Sequence, residues 1–381
     1  MTVNATSAMM SPDMLSRVDR RTLYIFGAYA IAFVVVALAN VFDLPPLVRF
    51  AAAVVALAGG AVSVGEATER LSRRLSPAAT GVVQSVLGNL PELFLAIFAL
   101  QAGLLDVVAA ALVGSVLGNA LFVLGLATLV GGLRHGKLTF SAAANRLYAT
   151  ELLLGVAALT IPFLATQPGA PDFGHAEELS AVVAIVLLVL FVASVPISLR
   201  MSTEGPATKP HIPDDDDEKT PDAVHPLSQT IALLAISAIS AAFVADWFVD
   251  ALEPAMATLG MSEAFAGLIV VAIASNAVEN LAGVTSAAKG NGDLSMSLIL
   301  NSALQIVLFL TPVIVLLSFF VAPVPLTLIL SPLLLGTLAV SVLLVIFIVI
   351  DGEANAFEGA MLLGLYVIVA AAVWWGPQIQ A

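Results

Sequence analysis

Long apolar segments, each about the length of a membrane-spanning helix, alternate with short polar segments along most of this chain. A helix needs about 20 mostly apolar residues to cross the hydrocarbon core of a bilayer, and windows of about 19 residues locate such segments. The eleven predicted spans are residues 23–42, 48–68, 79–101, 105–131, 147–167, 178–199, 229–250, 262–288, 293–319, 323–350 and 356–376. The pattern predicts an all-α polytopic membrane protein with short loops.

The composition supports this prediction and excludes several other classes of protein. The 381 residues are 60% hydrophobic and 11% charged, whereas soluble domains are about half apolar and one quarter charged. The absence of cysteine excludes a disulfide framework and a thiolate metal site. The net charge of −13 disfavours nucleic acid as a partner. Residues 1–22 contain no short apolar region followed by a cleavage site, so we expect no removable signal peptide.

The basic residues predict how the spans are oriented. If the N-terminus is cytoplasmic, thirteen of the fourteen lysines and arginines fall on the inner side, as the positive-inside rule requires. These are Arg17, Arg20, Arg21, Arg70, Arg73, Arg74, Arg134, Lys137, Arg146, Arg200, Lys209, Lys219 and Lys289, which leaves only Arg49 outside. We therefore expect a multi-pass protein of a prokaryotic plasma membrane, with its C-terminus outside.

The chain divides at one polar linker. We predict a cytoplasmic segment over 1–22, a first helix and five-helix repeat over 23–200, a linker over 201–226 and a second five-helix repeat over 227–381. The linker contains the acidic run Asp214, Asp215, Asp216, Asp217 and Glu218. This run is interpreted as a solvated connector or, alternatively, as a regulatory segment that concentrates cations at the inner mouth.

The two halves of the chain carry an internal repeat. A shift of 187 residues aligns Asn89 with Asn276, Glu92 with Glu279, Gly103 with Gly290, Asp106 with Asp293, Ser115 with Ser302, Leu117 with Leu304 and Phe122 with Phe309. Each half contains five spans, and an odd number makes the two halves cross the membrane in opposite directions. Inverted repeats with a site near the bilayer midplane are typical of secondary transporters.

Two short motifs carry the strongest functional signal. They are Gly88-Asn-Leu-Pro-Glu92 and Ser275-Asn-Ala-Val-Glu279, and both lie inside apolar segments. An ionised group at the centre of a span costs about 3 kcal/mol, and residues three apart share one helix face. Each motif thus presents a carboxylate beside an amide. Gly88 and Pro91 should weaken the third helix, and the freed carbonyls of a broken helix bind hard cations. Buried glutamates can also serve packing alone, but two at repeat-related positions favour function.

Other polar residues are candidates for the same region. Ser115 and Ser302 offer hydroxyl oxygens to an ion, although small residues also pack transmembrane helices. Further candidates for the cavity around the site are Asn119, Asn301, Gln305, Glu66 and Asp246, of which the two acidic residues could pass protons or ions. The four histidines fall in loops and have no metal-ligand spacing.

Two facing carboxylates predict exchange. Desolvation and mutual repulsion raise the pKa values of paired carboxyl groups in a low-dielectric cavity. One divalent cation neutralises both charges, and so do two protons. If the carrier changes conformation only when Glu92 and Glu279 are neutralised, it exchanges the cation for protons and leaks neither.

At these motifs the sequence resembles the cation/proton exchangers of the calcium/cation antiporter superfamily. The first signature motif of this family is similar to Gly88-Asn-Leu-Pro-Glu92 followed by Gly114-Ser-Val-Leu-Gly-Asn119. The second signature motif is similar to Asn276-Ala-Val-Glu279 followed by Asn301-Ser-Ala-Leu-Gln305. The resemblance implies eleven helices, Ca²⁺ (or Na⁺ or K⁺) exported against H⁺, Glu92 and Glu279 as central ligands, and a sliding gate formed by the first helix and 178–199. The chain departs from the family at Ser275, where glycine is usual, and at Asn280, where histidine is frequent.

Several functions remain open at this stage. Two carboxylates match one divalent charge, which favours Ca²⁺ over Na⁺ in an oxygen-only site. Na⁺/H⁺ and Na⁺/Ca²⁺ exchange are alternatives, and a passive cation channel is a further one. The sequence has no H-E-x-x-H or G-x-S-x-G motif, so an enzyme is not expected. We expect inorganic cations and the lipid bilayer as partners, no cofactor, and an oligomeric state that stays open.

Overall fold

The computed structural model describes residues 20–75, 77–170, 173–204 and 226–375. The predicted N-terminal segment up to residue 19 and the acidic run Asp214 to Glu218 lie outside these ranges. The helices are α1 (Arg20–Val41), α2 (Pro46–Ser72), α3 (Pro77–Leu87), α4 (Leu90–Gln101), α5 (Leu105–His135), α6 (Ala142–Ala165), α7 (Ala176–Glu204), α8 (Leu227–Leu259), α9 (Glu263–Ser275), α10 (Ala277–Ala288), α11 (Gly292–Val321), α12 (Pro332–Val349) and α13 (Ala356–Trp374). Two short strands are β1 (Lys137–Thr139) and β2 (Glu353–Asn355).

The architecture is that of a multi-pass membrane protein. Within the described ranges, nine helices are long and apolar enough to cross a membrane, or ten if the bent pair α9 and α10 forms one span. The apolar helix α4 has 12 residues and is shorter than a full span. Together with α3 it occupies the predicted third span. The all-α fold class is confirmed, and the count of eleven spans stays a prediction.

The third predicted span is interrupted where the sequence indicated a weak point. Helix α3 ends at Leu87 and α4 begins at Leu90, so that Gly88 and Asn89 lie between them. Pro91 is in the first turn of α4, where proline is tolerated because the backbone donors there have no partner within the helix. The corresponding break in the second half separates α9 from α10 and bends the chain by 62°.

The internal repeat is visible in the backbone. Asn89 (φ −92°, ψ 14°) and Asn276 (φ −91°, ψ 24°) have nearly the same conformation at the two breaks. Gly103 and Gly290 both have a φ of 79°, a value that favours glycine because it has no Cβ. Helices α5 and α11 each contain a π-helical segment, Gly118–Val123 and Ile306–Leu310. The repeat predicted at a shift of 187 residues is therefore a repeat of structure.

The tenth predicted span is shorter than expected. Residues 323–350 were predicted as one helix, but α12 begins only at Pro332, and 322–331 is irregular. Pro323 and Pro325 explain the difference because proline removes backbone donors from a helix. The side chains of Leu326, Leu328 and Leu330 are buried, and the Leu328 amide donates to Ser180 Oγ of α7 (2.9 Å). The segment is thus apolar because it packs against other helices.

A small antiparallel sheet joins the two halves on the predicted cytoplasmic side. Strand β1 pairs with β2 in the register Leu138 to Ala354. Lys137 Nζ donates to Glu353 Oε1 (2.5 Å), and this hydrogen bond with the charge of Glu353 raises the pKa of Lys137. The Ser141 amide donates to Asp293 Oδ1 (2.6 Å). These strands are not predictable from the sequence, because three residues are too few to show an alternation of polar and apolar positions.

Helix α1 is attached to both α2 and α8. The ring of Tyr29 lies over Gly59 and Gly60 of α2, and its hydroxyl donates to Ser240 Oγ of α8 (3.0 Å). The Arg70 guanidinium of α2 hydrogen-bonds the Thr22 hydroxyl. These contacts place the first helix against α2 and α8.

Helices α5 and α9 cross with their backbones in direct contact. A Cβ built on Gly114 would overlap the Leu268 backbone, and one on Gly267 would overlap the Val107 carbonyl oxygen. Glycine at both positions allows this approach, as small residues do at transmembrane helix interfaces. The crossing brings Ser115, the neighbour of Gly114, close to the break between α9 and α10.

Candidate functional site

The two helix breaks place polar side chains at the centre of the molecule. Glu92 is in the first turn of α4 and is buried, with 8% of its surface exposed. Asn89 and Asn276, at the two breaks, are also buried. The backbone of Glu279 is in the first turn of α10, but its side chain lies outside the described part of the structure. Whether the two glutamates face each other therefore stays a prediction.

Hydrogen bonds between amides and hydroxyls connect the two halves. Asn276 Nδ2 donates to Ser115 Oγ (3.0 Å), and Asn119 Nδ2 donates to Ser302 Oγ (3.2 Å). Asn89 Nδ2 approaches Gln305 Oε1 at 3.4 Å. Six predicted site residues thus meet in pairs, with one member of each pair from each repeat.

The same three amides are also held by their own helices. Each donates to the carbonyl oxygen four residues earlier, namely Ser85, Ser115 or Ala272. The amide oxygen of Asn119 is buried and has no hydrogen-bond partner among the described residues. An oxygen held in this way can face an ion, because the donor side of the amide is already occupied.

A small cavity lies beside these residues. It has a volume of about 20 Å³ and is lined by Glu92, Ser115 and Ser275 together with eight apolar residues, among them Leu95 and Leu310. That space holds about one water molecule or one cation without its hydration shell. Sequence analysis did not include Ser275 among the site residues. The available signal was that Ser275 precedes Asn276 and occupies the position equivalent to Gly88 of the first repeat.

The remaining candidates lie apart from this cluster. Asn301, predicted to line the cavity, is exposed one turn before Gln305 on α11. Glu66 forms an ion pair with Arg70 on α2 (3.0 Å), and Asp246 is half-buried on α8. The described hydrogen bonds and ion pairs do not link these three to the central asparagines and serines, so their assigned roles stay predictions.

The chemistry of the site suits a hard cation. Its polar groups are carboxylate, hydroxyl and amide oxygens, the ligands that Ca²⁺ and other hard cations prefer. Helices α4 and α10 both begin at the site, and the positive end of a helix dipole stabilises a carboxylate in its first turn. The arrangement can therefore hold a negative carboxyl group in a buried place until a cation or a proton neutralises it.

Comparison with known proteins gives consistent matches over most of the chain. Residues 45–200 and 229–375 match the family described as sodium/calcium exchanger protein. The Ca²⁺/H⁺ antiporter of Aphanothece halophytica is 33% identical over 334 residues, which cover 84% of this chain and 88% of that protein. The Ca²⁺/H⁺ antiporter ChaA of Bacillus subtilis is 34% identical over 329 residues, which cover 86% and 92%. The solved structure of native YfkE has a TM-score of 0.77 at 29% identity and covers 92% of this chain and 99% of that one.

Proposed function

This chain belongs to the sodium/calcium exchanger protein family, and we propose that it is a secondary active transporter that exchanges Ca²⁺ for H⁺ across the membrane. The proposal is supported by the relatives named Ca²⁺/H⁺ antiporter, which match over most of their own length. The observation that carries it in this molecule is the buried residue Glu92, which lines a small cavity together with Ser115.

The proposed site uses one glutamate from each repeat. Glu92 and Glu279 are the central Ca²⁺ ligands, and the neutral oxygens of Ser115, Ser302, Asn89 and Asn276 complete the coordination. Each glutamate follows its asparagine by three residues in the first turn of a helix, so the repeat itself supports a symmetric arrangement. Asn119 and Gln305 hold the hydroxyl and amide groups of the opposite repeat in place.

Exchange follows from the charge of the empty site. Two unneutralised carboxylates in a low-dielectric cavity repel each other and lose hydration, so the conformational change is unfavourable until Ca²⁺ or two protons bind. Because the two occupants compete for the same oxygens, each movement of Ca²⁺ in one direction requires protons to move in the other. We propose that α1 and α7 slide along the remaining helices to expose the site to alternate sides.

The proposal predicts a specific response to a proton gradient. Addition of Ca²⁺ to proteoliposomes or inside-out vesicles holding an acid-inside pH gradient should dissipate the gradient, while Na⁺ and K⁺ should do so less effectively. The measurement is a pH-sensitive dye inside the vesicles together with uptake of ⁴⁵Ca²⁺. If Na⁺ alone dissipated the pH gradient, the transported cation would be Na⁺ and not Ca²⁺. A Ca²⁺ current without a proton gradient, recorded on the reconstituted protein, would instead indicate a channel and overturn the proposal.

A further inference from the structure

Position 275 breaks the symmetry of the repeat inside the candidate site. The residue 187 positions earlier is Gly88, where a Cβ would lie 2.5 Å from the Gln84 carbonyl oxygen. The first repeat therefore has no room for a side chain there without a backbone shift. The second repeat carries Ser275, which is 2% exposed. One half of the molecule thus contributes a hydroxyl group where the other half contributes none.

Ser275 belongs to the wall of the small cavity beside Glu92. Ser275, Ser115 and Glu92 all line that cavity. The Asn276 amide nitrogen lies within hydrogen-bonding distance of both serine oxygens, at 3.2 Å for Ser275 and 3.0 Å for Ser115, and shares its two hydrogens between them and the Ala272 carbonyl oxygen. One amide thus holds the two hydroxyl oxygens near each other, next to a buried carboxyl group. Each serine oxygen retains a second lone pair that can face a cation.

We propose that Ser275 Oγ is an additional ligand of the transported cation, supplied by the second repeat alone. This inference rests on the proposed function. Ca²⁺ takes six to eight oxygen ligands, whereas Mg²⁺ requires a regular octahedron and keeps several of its waters. An extra protein oxygen therefore favours Ca²⁺ over Mg²⁺. The hydroxyl group is neutral, so it adds a ligand without changing the number of protons needed to neutralise the empty site.

The test is a comparison of Ser275→Ala with Ser275→Thr. The alanine variant should raise the KM for Ca²⁺ about tenfold, as expected for the loss of one polar contact to a charged group, and change the maximal rate less than the KM. Mg²⁺ should compete more effectively with Ca²⁺ in the alanine variant than in the parent protein. The number of protons exchanged per Ca²⁺ should stay unchanged. Threonine retains the hydroxyl oxygen and should restore most of the affinity.

Ser341→Ala is the matched control. Ser341 is buried in α12 and does not line the cavity, so its variant should keep the KM of the parent protein. Equal KM values for Ser275→Ala and Ser341→Ala would overturn the inference, and so would a threonine variant as impaired as the alanine one. Binding of ⁴⁵Ca²⁺ to the purified proteins gives the same comparison if transport by a variant is too slow to measure. Failure of the parent protein to exchange Ca²⁺ for H⁺ would instead contradict the proposed function.

Discussion

Replacement of Glu92 with glutamine should reduce Ca²⁺/H⁺ exchange by about a hundredfold or more. Glutamine retains the size of the side chain but can neither balance the charge of Ca²⁺ nor carry a proton from one side to the other. A polar contact to a charged group is worth up to about 3 kcal/mol, which corresponds to two factors of ten, and loss of the transported proton adds to this. The measurement is ⁴⁵Ca²⁺ uptake into inside-out vesicles driven by an imposed pH gradient.

Glu279→Gln should have the same effect, because the repeat places it at the position equivalent to Glu92. Glu151→Gln provides the matched control, since Glu151 is a partly buried acidic residue on the transmembrane helix α6 and does not line the cavity. It should transport at close to the parental rate. If Glu92→Gln or Glu279→Gln protein is inserted normally and still transports Ca²⁺ at the full rate, the proposed two-glutamate site is wrong.

Replacement of Gly114 with alanine should strongly destabilise the protein. The added methyl group would overlap the Leu268 backbone, which can yield only if α5 and α9 move apart. Overpacking of this kind costs about 1–3 kcal/mol and occasionally more, and here it would also displace the neighbouring Ser115 from Asn276. We expect a lower yield of monodisperse protein, a lower Tm in detergent and at least a tenfold loss of exchange.

Gly336→Ala is a suitable control for this prediction. Gly336 lies in α12, where an added Cβ meets no atom within 4 Å. Alanine also has a higher helix propensity than glycine by about 1 kcal/mol, so the control should be as stable as the parent or slightly more so. A Gly114→Ala protein with unchanged Tm and exchange would show that the crossing of α5 and α9 is less tightly packed than the structure indicates.

The overall fold could be predicted because apolar segments of fixed length are a strong signal in a membrane protein. The break at Gly88 and Asn89 was also predictable, since Gly88 and Pro91 weaken a helix locally. The start of α12 was missed because the buried leucines of 322–331 are as apolar as a span. Hydropathy does not distinguish a packed irregular segment from a helix, whereas Pro323 and Pro325 do indicate the break.

The types of residue at the site could be predicted more fully than the contacts between them. The 187-residue shift by itself identifies Asn89, Asn276, Ser115 and Ser302 as candidates. The pairing of Asn276 with Ser115, and of Asn119 with Ser302, depends on how the two repeats pack, which no local pattern contains. The packing leaves Asn301 exposed, and its place in the cavity stays a prediction.

The pairing of β1 with β2 bears on how the halves of this protein stay together. The two strands come from opposite repeats, and so do α5 and α9, whose backbones are in direct contact. We therefore expect the two repeats to associate even without a covalent connection between them. Two separately translated polypeptides, divided within 205–225, should assemble in one membrane into an active complex.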